Sequence, residues 1–349
     1  MKRLLLFIPL ILTVMILGAC GGSGNSKSAS SGSKEDVIKL TYAFFAPAGT
    51  FPAVQMEEWK TRLEERTDGK VEVELFPGGA LLEANNMYDG VANGTADIGL
   101  TSTSYEPGRF PLLAISDMPS GYANAKSASH VTADLVEKYP PEPLKDFKII
   151  TTFATEPAYI QSKKPIASMK DLKGKQLRIA GALTPIMEEL GAAPVGMSQA
   201  EVPEALQTGV VEGYVSSREI LKDTKLAEMV GYVTDYPLAL NTFIAVMNKD
   251  KWDSLPEDVQ QVIEELNREM TEFTGDYLDN HVQESIVWSQ DTHDLEIVKL
   301  SDSEKKAWDG RLDAMQEEYV EKIEKEGHPA KEYLEDMRSL IEKYNEEFK

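Results

Sequence analysis

Few residues in this chain have both the type and the spacing to do chemistry. The four histidines, His130, His281, His293 and His328, show no metal-ligand spacing. A single cysteine, Cys20, leaves no disulfide framework and no thiolate metal site. No glycine-flanked serine marks a nucleophile elbow, and Pro77-Gly78-Gly79 lacks the lysine that completes a phosphate loop. Carboxylates are abundant but fall in runs such as Glu264-Glu265 and Glu317-Glu318, which read as solvated helix faces. Glycoside chemistry needs two carboxyls that are separate in sequence, and nothing here singles out a pair. Arginine is the remaining type with a chemistry to offer, and one lies in Gln176-Leu177-Arg178-Ile179. Its planar guanidinium matches a carboxylate through two parallel hydrogen bonds and stays charged when partly buried. Read alone, an arginine at a strand end is a surface ion pair. The expectation is a protein without catalytic residues, metal or cofactor.

Cys20 has a different chemistry. Lys2 and Arg3 precede an apolar run, Leu4 to Leu17, and the cysteine follows Leu17-Gly18-Ala19. A charged start, a short apolar core and small residues before a cleavage point make a secretory signal. The run of 14 residues is shorter than the roughly 20 that a membrane span needs. A cysteine at the cleavage point resembles a bacterial lipobox, whose thiol carries diacylglycerol. Stable anchoring takes two acyl chains, which that group supplies. Residues 1–20 are thus expected to be a lipoprotein signal peptide. The Gly/Ser-rich residues 21–36 read as a flexible tether. The expected location is extracytoplasmic, on the outer face of the cell membrane, with acylated Cys20 holding the chain to the lipid bilayer.

The elements that must position Arg178 lie in the remaining 313 residues, a length typical of two domains. The formal charge of the whole chain is −22, and residues 1–36 carry +2, so the body carries −24. Such a surface disfavours nucleic acid as a partner. Strand patterns at 37–43, 71–75, 97–101, 147–153, 176–179, 211–215 and 243–247 alternate with helical ones at 52–66, 83–93, 185–190 and 198–208. Long helices follow from 257 past 277, from 301 to 326, and from 329 onward. Ser198 and Glu201 form one capping box, and Ser301 and Glu304 another. Alternating β and α elements predict an α/β protein with mostly parallel sheets covered by helices.

Four segments together resemble the DctP-type solute-binding proteins of tripartite ATP-independent periplasmic (TRAP) transporters, over nearly all of 38–340. They are Leu40-Thr41-Tyr42-Ala43-Phe44-Phe45, FPGGALLEANNMYDGVANGTADIGL at 76–100, DLKGKQLRIAGA at 171–182 and GMSQAEVPEALQTGVVEGYV at 196–215. Trp252-Asp253-Ser254-Leu255-Pro256-Glu257 adds to the likeness. The resemblance implies a two-lobed periplasmic-binding-protein-like fold of mixed, mostly parallel sheets, with a ligand cleft and a long connecting helix. Lobe I is expected to comprise 37–155 plus 242–282, and lobe II 156–241 plus 283–349. It further implies a small-molecule carboxylate as ligand, an ion-gradient-driven TRAP permease as partner, and lobe closure as mechanism. A monomer is expected. The alternatives are a binding protein for an ATP-driven importer, a ligand sensor, or an anchored extracellular enzyme.

Arg178 occupies the family's arginine position. Sialic-acid-binding members carry a second arginine twenty residues earlier, where this chain has Ala158 beside Tyr159, and a phenylalanine where it has Gln199. Ser216 is the positional match for an asparagine that often follows the acidic-Gly strand. Loops at strand ends add Phe44, Phe45, Ser102, Tyr105, Glu156 and Asn241 as ligand candidates. A pocket poorer in charge and richer in aromatic surface implies a monocarboxylate with an apolar or aromatic body.

Overall fold

The computed structural model describes residues 37–349. The signal peptide, Cys20 and the tether lie outside the described residues. Among the described residues, eleven strands form two sheets. They are β1 (Ile38–Phe44), β2 (Val71–Phe76), β3 (Ile98–Ser102), β4 (Phe147–Ala154), β5 (Tyr159–Ser162), β6 (Gln176–Ile179), β7 (Ala193–Gly196), β8 (Gly213–Ser216), β9 (Tyr232–Thr234), β10 (Thr242–Asn248) and β11 (Glu296–Val298). The first sheet runs β2-β1-β3-β10-β4 and the second β11-β9-β5-β8-β6-β7.

Each sheet contains one strand antiparallel to its neighbours, β10 in the first and β5 in the second. These are the strands by which the chain enters a lobe after crossing from the other, so the topology is mixed for a reason of connectivity. The crossing segments pair with each other. The Ala158 and Leu238 amides donate to Ala239 and Ala158 carbonyls at 2.6 and 2.8 Å, and the Thr155 amide donates to Asn241 O at 3.1 Å. β10 is apolar nearly throughout because it sits between β3 and β4 with both faces covered, whereas the edge strand β2 alternates buried and exposed residues.

The helix Glu257–His293 spans 37 residues, roughly 55 Å at 1.5 Å per residue. Leu266, Met270 and Leu278 pack into the first lobe's core, and Trp288 packs on that of the second. The helix Ala125–Lys138 is absent from the sequence reading; Asn124 caps it by accepting from the Ser127 amide at 2.8 Å. The helix expected over 83–93 spans only Met87–Ala92. Glu83 instead enters a turn in which its amide donates to Asn86 Oδ1 at 2.9 Å. Leu82 lies over Gly90, where a Cβ would come within 2.1 Å of a leucine methyl. The acid of the Gly-x-x-Asp run, Asp97, accepts from the Thr41 amide at 2.8 Å and the Thr41 hydroxyl at 2.9 Å, tying β1 to the start of β3.

The C-terminus departs from the expected boundary, since 283–349 does not stay with the second lobe. The helix Asp302–Lys325 begins there with Trp308 and Leu312. Val320 and Ile323 then join Tyr333, Met337 and Ile341 of the final helix, Ala330–Glu347, against Val131 and Leu135 of the first lobe. A buried stripe at helical spacing finds its complement on Ala125–Lys138.

Candidate functional site

Strand alternation sets the direction of Arg178. Leu177 and Ile179 enter one core, while Arg178 takes the opposite face beside its register neighbours Val195 and Tyr214. It is 2% exposed. Its Nε donates to Met197 O at 2.9 Å. Nη1 donates to Gln199 Oε1 at 2.7 Å and to Val215 O at 3.3 Å. Nη2 donates to the Tyr105 hydroxyl at 3.3 Å. All four acceptors are neutral oxygens, so the charge is buried without a counter-ion among the described residues. An isolated buried charge is strongly disfavoured; here four neutral oxygens solvate it in place of a counter-ion.

Arg218 supplies the contrast. It is also largely buried, but Glu156 neutralises it through Nε–Oε1 and Nη2–Oε2 hydrogen bonds of 2.9 Å each. The Arg218 amide also donates to Glu156 Oε1 at 2.7 Å, and its guanidinium lies 4.0 Å from the Tyr159 ring centroid. Of the two arginines, only Arg218 has a carboxylate partner among the described residues.

A cavity of about 40 Å³ lies against Arg178, room for a few waters. The walls come from both lobes. Phe44, Phe45, Tyr105 and Phe243 stand on the first-lobe side, Gln199 and Ser216 on the second, and Thr155 and Asn241 at the crossing. Phe45 meets Phe44 at 4.7 Å and Tyr105 edge-on at 5.1 Å, and Phe243 stacks on Phe153 at 5.4 Å. Wider spaces of about 580 and 430 Å³ flank Tyr105 and Ser104. Neither is lined by an arginine, so the chemistry favours the smaller one.

Seven of the ten candidates therefore line one cavity: Arg178, Tyr105, Gln199, Ser216, Asn241, Phe44 and Phe45. Three do not. Ser102 is buried in β3, where its hydroxyl accepts from the Ser104 amide at 3.3 Å. Glu156 and Tyr159 are engaged by Arg218. The loop carrying Ser216 is braced from β5, since Gln161 Nε2 donates to Ser216 O and Ser217 O at 2.9 and 3.2 Å. The Tyr214 hydroxyl in turn donates to Gln161 Oε1 at 2.7 Å.

Sequence reasoning missed Thr155, Ser217, Glu219, Ile220, Phe51 and Phe243 as lining residues. Ser216-Ser217-Arg218-Glu219 has capping-box spacing, a signal that the chain turns there and places Glu219 near the end of β8. The histidines serve packing and pairing. His130 and His281 each meet a carboxylate at 2.6 Å, Glu272 and Asp223 respectively. Among the described residues no cluster of His, Cys, Asp and Glu could hold a metal.

The family described as "Bacterial extracellular solute-binding protein, family 7" (DctP) matches residues 43–325. The chain belongs to the DctP family. A DctP-type fold is also what the solved structures give. A TRAP periplasmic solute-binding protein from Desulfovibrio salexigens, described as an open complex, is 44% identical with a TM-score of 0.78. That match covers 88% of this chain and 96% of that one. A marine metagenome TRAP solute-binding protein, described as specific for aromatic acid ligands and bound to 3-hydroxybenzoate, is 26% identical with a TM-score of 0.83. It covers 88% of this chain and 99% of that one. A solute-binding protein of Roseobacter denitrificans is 26% identical over 212 residues, 58% of this chain and 63% of that protein. As a DctP member the chain is a solute-binding protein and not an enzyme.

Proposed function

We propose that this protein captures a monocarboxylate with an apolar or aromatic body and delivers it to an ion-gradient-driven TRAP permease. The observation that carries the reading is the buried, unpaired Arg178 against an aromatic wall. The carboxylate takes the guanidinium, and the ligand body lies along Phe44, Phe45 and Phe243. The aromatic-acid relative supports the ligand class. Lobe closure completes the site. The walls come from both lobes, so ligand contacts reach full strength only when the lobes meet, and binding shifts the population to that state. A permease then distinguishes loaded from empty protein.

Thermal-shift screening against an organic-acid library tests the reading, because bound ligand stabilises by mass action. Aryl, keto and other apolar monocarboxylates are expected to raise the melting temperature, and Arg178→Ala to abolish the shift. Tight binding of sialate or sugar acids with no response to aryl or keto acids would sink it. The lipid anchor is a separate proposal. Cys20→Ser should release into the medium a protein that still binds its ligand; unchanged membrane retention would count against the anchor.

A further inference from the structure

Carboxylate capture leaves a buried acid of the cavity unused. Glu219 lines it and is 2% exposed. Its Oε1 accepts from the Ser217 hydroxyl at 2.7 Å. Its Oε2 is buried and has no partner among the described residues. Gln199 Nε2 is likewise unpartnered. Its Oε1, however, is held by Arg178, which places that amide at the carboxylate end, where a ligand carboxylate accepts from it. No part of a plain carboxylic acid answers Glu219 in the same way.

The surroundings decide which form Glu219 takes. Asp223 stands one helical turn on, and its Oδ1 meets His281 at 2.6 Å. Glu156 is bound to Arg218. Burial, with the Asp223 and Glu156 charges adding to it, pushes the Glu219 carboxyl well above the usual carboxylate range, and the Ser217 hydrogen bond opposes the shift only in part. The site therefore favours the neutral acid. With Oε1 accepting from Ser217, the proton belongs on Oε2.

We propose that Glu219 is a specificity-determining residue whose Oε2–H donates to a neutral oxygen, carbonyl or hydroxyl, on the ligand beyond its carboxylate. The inference rests on Arg178 being the carboxylate site. It narrows the ligand class to hydroxy- or oxo-substituted monocarboxylates. A plain acid would leave the buried O–H unanswered, and a site built to hydrogen-bond a ligand oxygen discriminates against the analogue lacking it. A second carboxylate is disfavoured by Asp223 and Glu156.

Calorimetry with matched probes tests this: phenylacetate against mandelate, benzoate against 3-hydroxybenzoate, and 3-phenylpropanoate against phenylpyruvate. In at least one pair the oxygen-bearing acid is expected to bind about tenfold more tightly or better. Glu219→Leu should bring that ratio close to one while keeping the plain acid's affinity, and Glu219→Gln, which retains a donor, should keep a preference. Wild-type protein that prefers no oxygen-bearing acid overturns the proposal, as does Glu219→Leu with an unchanged ratio. A crystal structure with the preferred acid makes the same test without a variant, and covers a Glu219→Leu chain that fails to fold. A ligand oxygen within hydrogen-bond distance of Glu219 Oε2 supports the role, and any other placement overturns it. Arg178→Ala separates the two readings. If it abolishes binding of both acids while Glu219→Leu changes nothing, the carboxylate site stands and the Glu219 role falls. If it binds both acids at wild-type strength, the carboxylate site itself falls.

Discussion

The Tyr105 hydroxyl, carried by the first lobe, accepts a hydrogen bond from Arg178 Nη2 of the second lobe at 3.3 Å. It accepts another from the Gln199 amide at 3.1 Å. The tyrosine thus reaches the guanidinium from across the cavity, while its ring packs edge-on against Phe45 at 5.1 Å. Tyr105→Phe keeps the ring and removes the link. A hydrogen bond to a charged group contributes about 1.5–3 kcal/mol, so affinity should fall roughly tenfold or somewhat more. The loss should appear mainly as faster dissociation. Stopped-flow displacement that shows an unaltered off-rate would mean the hydroxyl does not hold the closed form.

Arg178→Met separates binding from stability. The buried guanidinium costs folding free energy that no carboxylate offsets in the empty protein. An apolar side chain of similar length removes that cost together with its hydrogen bonds, so the empty variant should melt close to the parent or above it. The ligand-induced rise in melting temperature should vanish. A variant that melts far lower and still shifts with ligand would make Arg178 a structural residue.

Much of this arrangement was legible in the sequence, for physical reasons. β10, Thr242–Asn248, is apolar because both its faces are covered, and that run marks it without any partner known. Arg178 is marked by the family motif around it, since an arginine at a strand end reads by itself as a surface ion pair. What was not legible depends on contacts between distant segments. The helix Ala125–Lys138 carries Ala125, Ala128, Val131 and Leu135 at helical spacing, but Ser127, Ser129 and Thr132 are buried with them, so much of its packed surface is polar in sequence and does not read as core. The C-terminal helix shows a clear stripe, but nothing local says which lobe receives it. Glu156 read as a ligand candidate because it follows β4; its partner, Arg218, lies 62 positions on. Capping-box spacing from Ser216 marks a turn at Glu219, but only burial shows that its Oε2 lacks a partner.

The Glu156–Arg218 pair should prove structural. The side chains are 6% and 16% exposed, so Glu156→Gln leaves a largely buried cation unpaired. Breaking such a pair costs on the order of 3 kcal/mol. The double variant Glu156→Gln, Arg218→Met should recover much of that loss in urea denaturation. In folded protein, affinity should change by less than about threefold, which is under about 1 kcal/mol. A large affinity loss at undiminished stability would return Glu156 to the ligand site.

Asp117 ties the turn that presents Tyr105 to the strand that returns from the second lobe. It accepts from the Ser104 hydroxyl at 2.6 Å and the Thr242 hydroxyl at 2.8 Å, and its carbonyl accepts from the Leu240 amide at 2.8 Å. Burial raises its carboxyl from 3.8 to about 7, with the two hydroxyls pulling the other way. Because the folded protein holds this proton more tightly than the unfolded chain, the contribution is full below pH 4. It is lost as pH rises toward 7 and is level above that. At 1.36 kcal/mol per pH unit the change is of order a few kcal/mol. Urea denaturation of the parent and of Asp117→Asn from pH 4 to pH 8 isolates the group, since other titrations cancel in the difference. The parent should lose ground against the variant steadily up to about pH 7 and hold constant beyond. A difference that does not vary with pH would mean that Asp117 is ionised throughout.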